Sequence, residues 1–415
     1  MGSLLSELGK KEAWEKFYGH KTSGICAPSA ERELREFIDK AEYMEVCREI
    51  ADCLEGKSSF PLPRRAVISK MSTQKKRTVY IYPRRETVTL KLLTYLVLRK
   101  YDDIFADNLY SFRPDRSAHT AIHSIVRSMS GFEKGFYSYK VDISDYFNSI
   151  DISLLLPELE KILSDDPLLY KFLSSLLCEK EFTSSGVPMT GAKGIMAGTP
   201  IACFYANIFL KELDFHFEKL GIPYARYSDD IIVLAESREE LSEHESYIRD
   251  YLRSRGLKVN PAKESRTLPG GMLVFLGFAT DGKTIDIAPA TVTKLKGKMR
   301  RKARALVRWA ARNDIDPANA AKAFIRIFNR KLLDVSDDHD LTWSRWFFSV
   351  INTDKSLRVI DGYAQDTIRY IAGNTRRKSR YNIRYEDLKK WGYRSLVAEY
   401  YAFGSKPQPT EQRKD

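Results

Sequence analysis

Apolar and polar positions alternate along this chain with a period that changes from block to block. Through residues 1–58, Trp14, Phe17, Leu34, Phe37, Ile38, Tyr43 and Val46 recur at helix-like spacing, which predicts a mainly helical start closed by Pro61 and Pro63. From Ala66 to Tyr82 the period shortens to two around a polar turn at 72–75, predicting a hairpin, and residues 86–101 return to helical spacing. Strand patterns over 136–143, 224–235 and 272–279 are separated by helical patterns near 151–178, 200–219 and 237–255, an order that predicts a mixed α+β core.

Beyond Pro289 the strand patterns stop. Val292, Leu295, Met299, Ala303, Leu306 and Ala310 mark one apolar face of a helix whose other side carries Lys294, Lys298, Arg301, Arg304 and Arg308. Helical patterns at 317–332, 340–350, 355–371 and 386–402 complete a C-terminal bundle, and the polar Ser405–Asp415 tail is expected to be disordered. The predicted divisions are therefore 1–135, 136–288, 289–403 and 404–415. With 43% hydrophobic residues the chain can bury a large core, and no apolar run approaches the roughly 20 residues of a membrane span. No signal peptide is visible at the start. Five cysteines without a Cys-x-x-Cys pair argue against a disulfide framework or a zinc module and predict a reducing cytoplasm.

Charge changes the picture. The net charge is +13, and its excess sits in three segments without acids: residues 64–85 with eight bases, 291–312 with nine and 367–385 with six. Outside them 55 acidic groups outnumber 45 basic ones, so the cationic segments stand on a mildly acidic body. Such a distribution suits contact with a phosphate backbone, although each segment by itself is also what a solvated surface looks like.

Two adjacent acids, Asp229 and Asp230, interrupt the apolar strand patterns of 224–235. Aspartate is disfavoured within strands and seldom buried alone, so the pair is expected in a tight hairpin turn, either simply solvated or binding metal. A third acid, Asp142, ends the strand pattern of 136–143, whereas Asp145 and Asp151 read as cap or turn residues. Two divalent ions about 4 Å apart require carboxylates converging from more than one strand, and Asp142 meets that requirement if its strand lies beside the hairpin.

Several blocks in order resemble the reverse transcriptases, in particular the bacterial group of retron, group II intron and phage-defence enzymes. Val141-Asp142-Ile143-Ser144-Asp145-Tyr146-Phe147 resembles the first catalytic block and Tyr227-Ser228-Asp229-Asp230 the second. Residues 194–210, from Gly194 to Leu210, resemble the loop and helix beneath template and incoming nucleotide, and Tyr110-Ser111-Phe112-Arg113-Pro114-Asp115-Arg116-Ser117 is similar to a group II intron signature. The resemblance implies a right-hand polymerase with fingers, palm and helical thumb, acting as an RNA-directed DNA polymerase on dNTPs, an RNA template and a DNA product. It also implies catalytic Asp142, Asp229 and Asp230, with Ile143 beside them in the metal set, and two Mg²⁺ ions for which Mn²⁺ can substitute.

Further roles follow from the same resemblance. Lys70, Arg77, Phe147, Ala197, Gly198 and Lys263 fall at nucleotide-binding positions. Phe147 is the steric gate against a ribose 2′-hydroxyl, and Lys263 assists pyrophosphate departure. Arg113, Arg116, Tyr227 and the cationic face from Lys294 to Arg308 fall to nucleic-acid contact. Val274-Phe275-Leu276-Gly277-Phe278 resembles the strand pair that grips the primer end. The pattern breaks at Ala197, where relatives carry Gln, so an amide contact near the nucleotide is lost. Without retron-type blocks, a ribonuclease H section or an endonuclease tail, the chain looks most similar to stand-alone defence-associated enzymes, some of which copy a dedicated non-coding RNA. A maturase-like RNA-binding protein with vestigial polymerase, and an untemplated nucleotide polymerase, are the alternative readings.

Overall fold

A computed structural model describes residues 2–23, 26–69, 76–133, 135–334, 342–373 and 381–405. Its contacts divide the chain into two compact units, Met1–Gly24 with Ala30–Gly271, and Ile25–Ser29 with Met272–Asp415. The expected α+β class is observed.

In the first unit, β1 (Arg64–Ser69) and β2 (Lys76–Ile81) form the expected antiparallel hairpin, in register from Arg64↔Ile81 to Ser69↔Lys76. Lys70 and the turn expected at 72–75 lie outside the described residues. The central strand β3 (Tyr137–Asp142) follows. A second hairpin, β4 (Glu181–Ser184) and β5 (Val187–Thr190), was not predicted, because every position of β5 is exposed and no apolar alternation marks it. β4 runs parallel beside β1, giving a four-stranded sheet in the order β2-β1-β4-β5.

The other sheet of this unit carries the acids. β6 (Tyr224–Tyr227), β7 (Asp230–Ala235) and β8 (Ser265–Thr267) join β3 in the order β6-β7-β3-β8, all antiparallel. Ile231, Ile232, Val233 and Leu234 are buried without alternation, as expected of a strand covered on both faces. The helical pattern of 151–178 breaks into Ile152–Ile162 and Pro167–Cys178, because Pro167 opens a new helix whose Leu169 amide is capped by Asp166 at 3.1 Å. The 200–219 pattern likewise divides into Ala202–Phe209 and Lys211–Lys219. One core joins the N-terminal Trp14 and Phe17 to Leu93, Tyr139, Phe172, Phe204 and Ile231.

In the second unit, β9 (Leu273–Phe275), β10 (Phe278–Thr280) and β11 (Ile285–Ile287) form a small antiparallel sheet. Leu276 and Gly277 turn its first hairpin in the left-handed region. This sheet is fastened to the helical part, with the Asn352 side chain accepting from Ile285 N at 2.8 Å. The contact boundary thus falls after Gly271, ahead of the division at 288 suggested by the end of the strand patterns. The helix Pro289–Arg312 buries all six of its predicted apolar residues. Asp361 is buried in the bundle and receives Tyr393 Oη at 2.7 Å, Leu396 N at 2.9 Å and Val397 N at 3.0 Å, tying down the start of the last helix, Leu396–Gly404.

Candidate active site

Strand pairing assembles the acids. Asp142, last residue of β3, lies opposite Asp230, first residue of β7, and Ile143 N donates to Asp229 O at 3.1 Å. Asp142 is buried, its Oδ1 accepting from Asn260 Nδ2 at 3.1 Å and its Oδ2 paired with the Lys263 ammonium. Burial, followed by repulsion from Asp142, holds the Asp229 carboxyl above its ordinary range. Burial also lifts Asp230 to about 6, with Asp229 and Asp142 adding to the rise against the opposing Lys140. Asp229 and Asp230, both raised by burial and by neighbouring carboxylates, call for positive charge beside them. Among the described residues no three ligating side chains already close around a metal-sized space, and the Lys263 ammonium stands on Asp142 where a cation belongs. The donor set, all carboxylate oxygen, fits Mg²⁺ or Mn²⁺.

The turn bearing Asp229 is held from behind by a buried polar network. Ser228 takes a left-handed backbone (φ 59°), costly for a residue with a Cβ, and its N–H donates to Ser111 Oγ at 2.9 Å. Ser111 in turn donates to Asn207 Oδ1 at 3.2 Å, while Asn207 Nδ2 donates to Ser111 O at 2.9 Å. Arg226, fully buried, donates to Asp214 through Nε at 2.8 Å and Nη2 at 2.5 Å, to Asn207 O at 3.1 Å and to Ser228 O at 3.3 Å. Burial alone would lower the Arg226 pKa, but the Asp214 carboxylate overrides it and keeps the guanidinium charged. Sequence reasoning missed Arg226, Asp214, Ser111 and Asn207 as site residues. Ser111 and Asn207 lie inside blocks already singled out, whereas nothing near Asp214 marks it.

On the nucleotide side, Phe147 lies in the short helix Tyr146–Ser149, with the Arg77 guanidinium 5.8 Å from its ring centroid. Tyr146 beside it is buried in the core and donates to Ala206 O at 2.6 Å. Phe147 O accepts from Ile195 N at 2.9 Å, and Gly194 (φ 59°) packs so closely there that a Cβ would stand 2.2 Å from that oxygen. The Arg77 charge opposes the rise at Asp229. Asp151 caps a helix through Ser153 N at 2.9 Å, and Asp145 binds Asn148, in keeping with cap and turn roles.

Two expected contacts are corrected. Arg113 does not face nucleic acid: its side chain is 3% exposed, and its donors are taken up by Asp102 at 2.8 and 3.0 Å and by Ala106 O at 2.6 Å. Ala197 is buried and presents nothing to a nucleotide; its carbonyl accepts from Tyr80 N at 2.8 Å, joining the loop to β2. Gly198 beside it is exposed, and a Cβ there would lie 3.0 Å from Val79 Cβ and 3.1 Å from Tyr80 O. Arg116 is half-committed, bound to Asp107 at 2.5 Å, while Tyr227 is partly buried with its ring 6.4 Å from Phe112. In the second unit Lys294, Lys298, Arg301, Arg304 and Arg308 are exposed on the helix face opposite its buried residues.

Comparison with known proteins bears on this arrangement. The group II intron-encoded protein LtrA of Lactococcus lactis subsp. cremoris is 28% identical over 230 residues, covering 53% of this chain and 35% of its own. The retron Ec86 reverse transcriptase of Escherichia coli is 21% identical over 237 residues, covering 56% and 67%. The chain thus spans about a third of the length of LtrA. A solved telomerase from Candida albicans, in complex with a fragment of telomeric RNA, covers 84% of this chain and 66% of its own at 12% identity and a TM-score of 0.44. Residues 68–285, which hold both the paired carboxylates and the network behind them, match the family described as reverse transcriptase (RNA-dependent DNA polymerase), and the chain belongs to that family.

Proposed function

We propose that this chain is an RNA-directed DNA polymerase that extends a primer with deoxynucleotides. The observation that carries the reading is the strand register, which sets Asp142 opposite Asp230 with Asp229 bonded beside them. Asp142, Asp229 and Asp230 would hold two divalent ions, Mg²⁺ by preference, with Ile143 adjoining them. Such ions would supply the charge that acidifies a primer 3′-hydroxyl and stabilises the departing oxygen. Lys263, whose ammonium pairs with Asp142, is placed to neutralise or protonate the pyrophosphate once freed of that partner. Arg77, with Lys70 ahead of it, grips the triphosphate as a fork-shaped donor. Phe147, its backbone pinned by Gly194, blocks a 2′-hydroxyl and so selects dNTPs. Phosphate contacts from the cationic helix of the second unit hold the template-primer by shape more than by sequence.

Ala197 favours the maturase-like alternative, but that reading has to account for the retention of Asp142, Asp229 and Asp230 in one strand register. By resemblance, the template is a dedicated non-coding RNA and the purpose antiphage defence, while the cysteine pattern points to a cytoplasmic setting. Paired sequencing of RNA and DNA copurifying with the wild-type protein and with the Asp229→Ala, Asp230→Ala double variant tests this. One discrete RNA with complementary DNA, present only with intact carboxylates, is expected; undiminished dNTP incorporation by the double variant would falsify the polymerase reading.

A further inference from the structure

A cleft of about 440 Å³ opens in the first unit, lined by the helices Lys11–Thr22 and Arg84–Lys100 and by the loop Phe112–Arg116. Its chemistry is unusual for a surface recess. Lys21, Lys91 and Arg99 line it without a carboxylate partner among the described residues, and Asp115 is the one acid in its lining. Rings are interleaved with these charges. The Arg99 guanidinium lies 4.5 Å from the Tyr95 centroid, the His20 ring lies tilted with its centroid 4.8 Å from the same ring, and Lys21 Nζ is 5.6 Å from the Phe17 centroid. Burial, then Arg99 and Lys21, hold the His20 pKa below its ordinary value against the opposing Asp115.

Phe112 gives the cleft a direction. It is 41% exposed, an unfavourable state for a large apolar ring, and it sits in a left-handed backbone (φ 59°). Its ring is 6.4 Å from that of Tyr227, two residues before Asp229, and its neighbour Ser111 holds the catalytic turn. Unpaired cations interleaved with accessible rings are what a single nucleic-acid strand requires, the cations for phosphates and the rings for unstacked bases. A duplex buries its base faces in its own stack and cannot use Phe112 this way.

We propose that this cleft binds an unpaired stretch of RNA adjoining the catalytic turn, with phosphates on Lys21, Lys91 and Arg99 and a base on Phe112. The assignment of the strand as RNA rests on the polymerase reading. The full chain is irradiated with single-stranded RNA carrying 4-thiouridine, and the crosslinked peptides are mapped. Adducts within residues 17–21, 91–99 or 112–116 are expected; crosslinks confined to the helix Pro289–Arg312, or obtained only with an RNA–DNA hybrid, would overturn the proposal. Lys21→Gln with Lys91→Gln, both exposed and unpaired, should leave the melting temperature unchanged and lower the salt slope of RNA binding by about 1.4, as for two lost single-strand phosphate contacts. An unchanged slope would equally overturn it. Incorporation on a short annealed template-primer is measured separately: its absence in the wild-type protein sinks the polymerase reading, while the crosslinks still decide the cleft.

Discussion

The turn bearing Asp229 and the cationic helix of the second unit are both built from charged residues, yet they treat charge in opposite ways. Behind the turn, Arg226 and Asp214 are fully buried and their donors and acceptors meet within the protein. Along Pro289–Arg312, Lys294, Lys298, Arg301, Arg304 and Arg308 stand exposed on a helix whose buried face is apolar. The first arrangement fixes atoms; the second leaves them free to follow a ligand. Positioning chemistry requires side chains locked by their neighbours, whereas holding a phosphate backbone requires only density of charge.

The sharpest way to break this comparison is Asp214→Ala. It leaves Arg226 buried without a counter-charge and should cost about 3–5 kcal/mol in chemical denaturation. A loss below about 1 kcal/mol would mean that the pair is less dry than it looks.

Next in size is the carboxylate cluster without metal. Asp230, raised to about 6 by burial, contributes stability that is fully present below the ordinary aspartate range and is lost as pH rises through about 6. A rise of about two units corresponds to roughly 3 kcal/mol, so protein held in chelator should melt lower at pH 7.5 than at pH 5. Added Mg²⁺ should recover more of that loss at pH 7.5 than at pH 5, because the ligands must be deprotonated to bind it.

Smaller again is Ser111→Ala, which strands the Ser228 N–H at a cost of about 1–3 kcal/mol. It should lower kcat and raise the Mg²⁺ requirement with little change in dNTP KM, as expected of a positioning residue. Last, replacing Lys298, Arg301 and Arg304 by Gln should shift stability by less than about 0.5 kcal/mol. The same triple variant should flatten the salt dependence of RNA binding by about 2–3 in slope. An unchanged slope would remove the helix from the RNA-binding surface.

Local pattern made some of this legible. Asp142, Asp229 and Asp230 stand out because acids interrupt apolar strand patterns, and the buried face from Val292 to Ala310 follows from helical period. Partnership was hidden. Arg113 and Arg226 read alike as cations in the sequence, and only the fold reveals that Asp102 and Asp214 claim them. Ala197 read as a lost contact because its side chain was weighed, while its carbonyl carries the interaction. The hairpin of β4 and β5 escaped because exposed strands have no burial period to detect, and the break at Pro167 because apolar spacing continues across it.

The opposition of Asp142 to Asp230 has a consequence for the gene. Side chains on a strand alternate between faces, so moving the pairing by one residue would carry Asp142 to the far side of the sheet. Inserting or deleting a single codon within Tyr137–Asp142 or Asp230–Ala235 should therefore abolish nucleotide incorporation even where the protein still folds. Reading frame in miniature, counted in residues along two strands, is what this active site inherits.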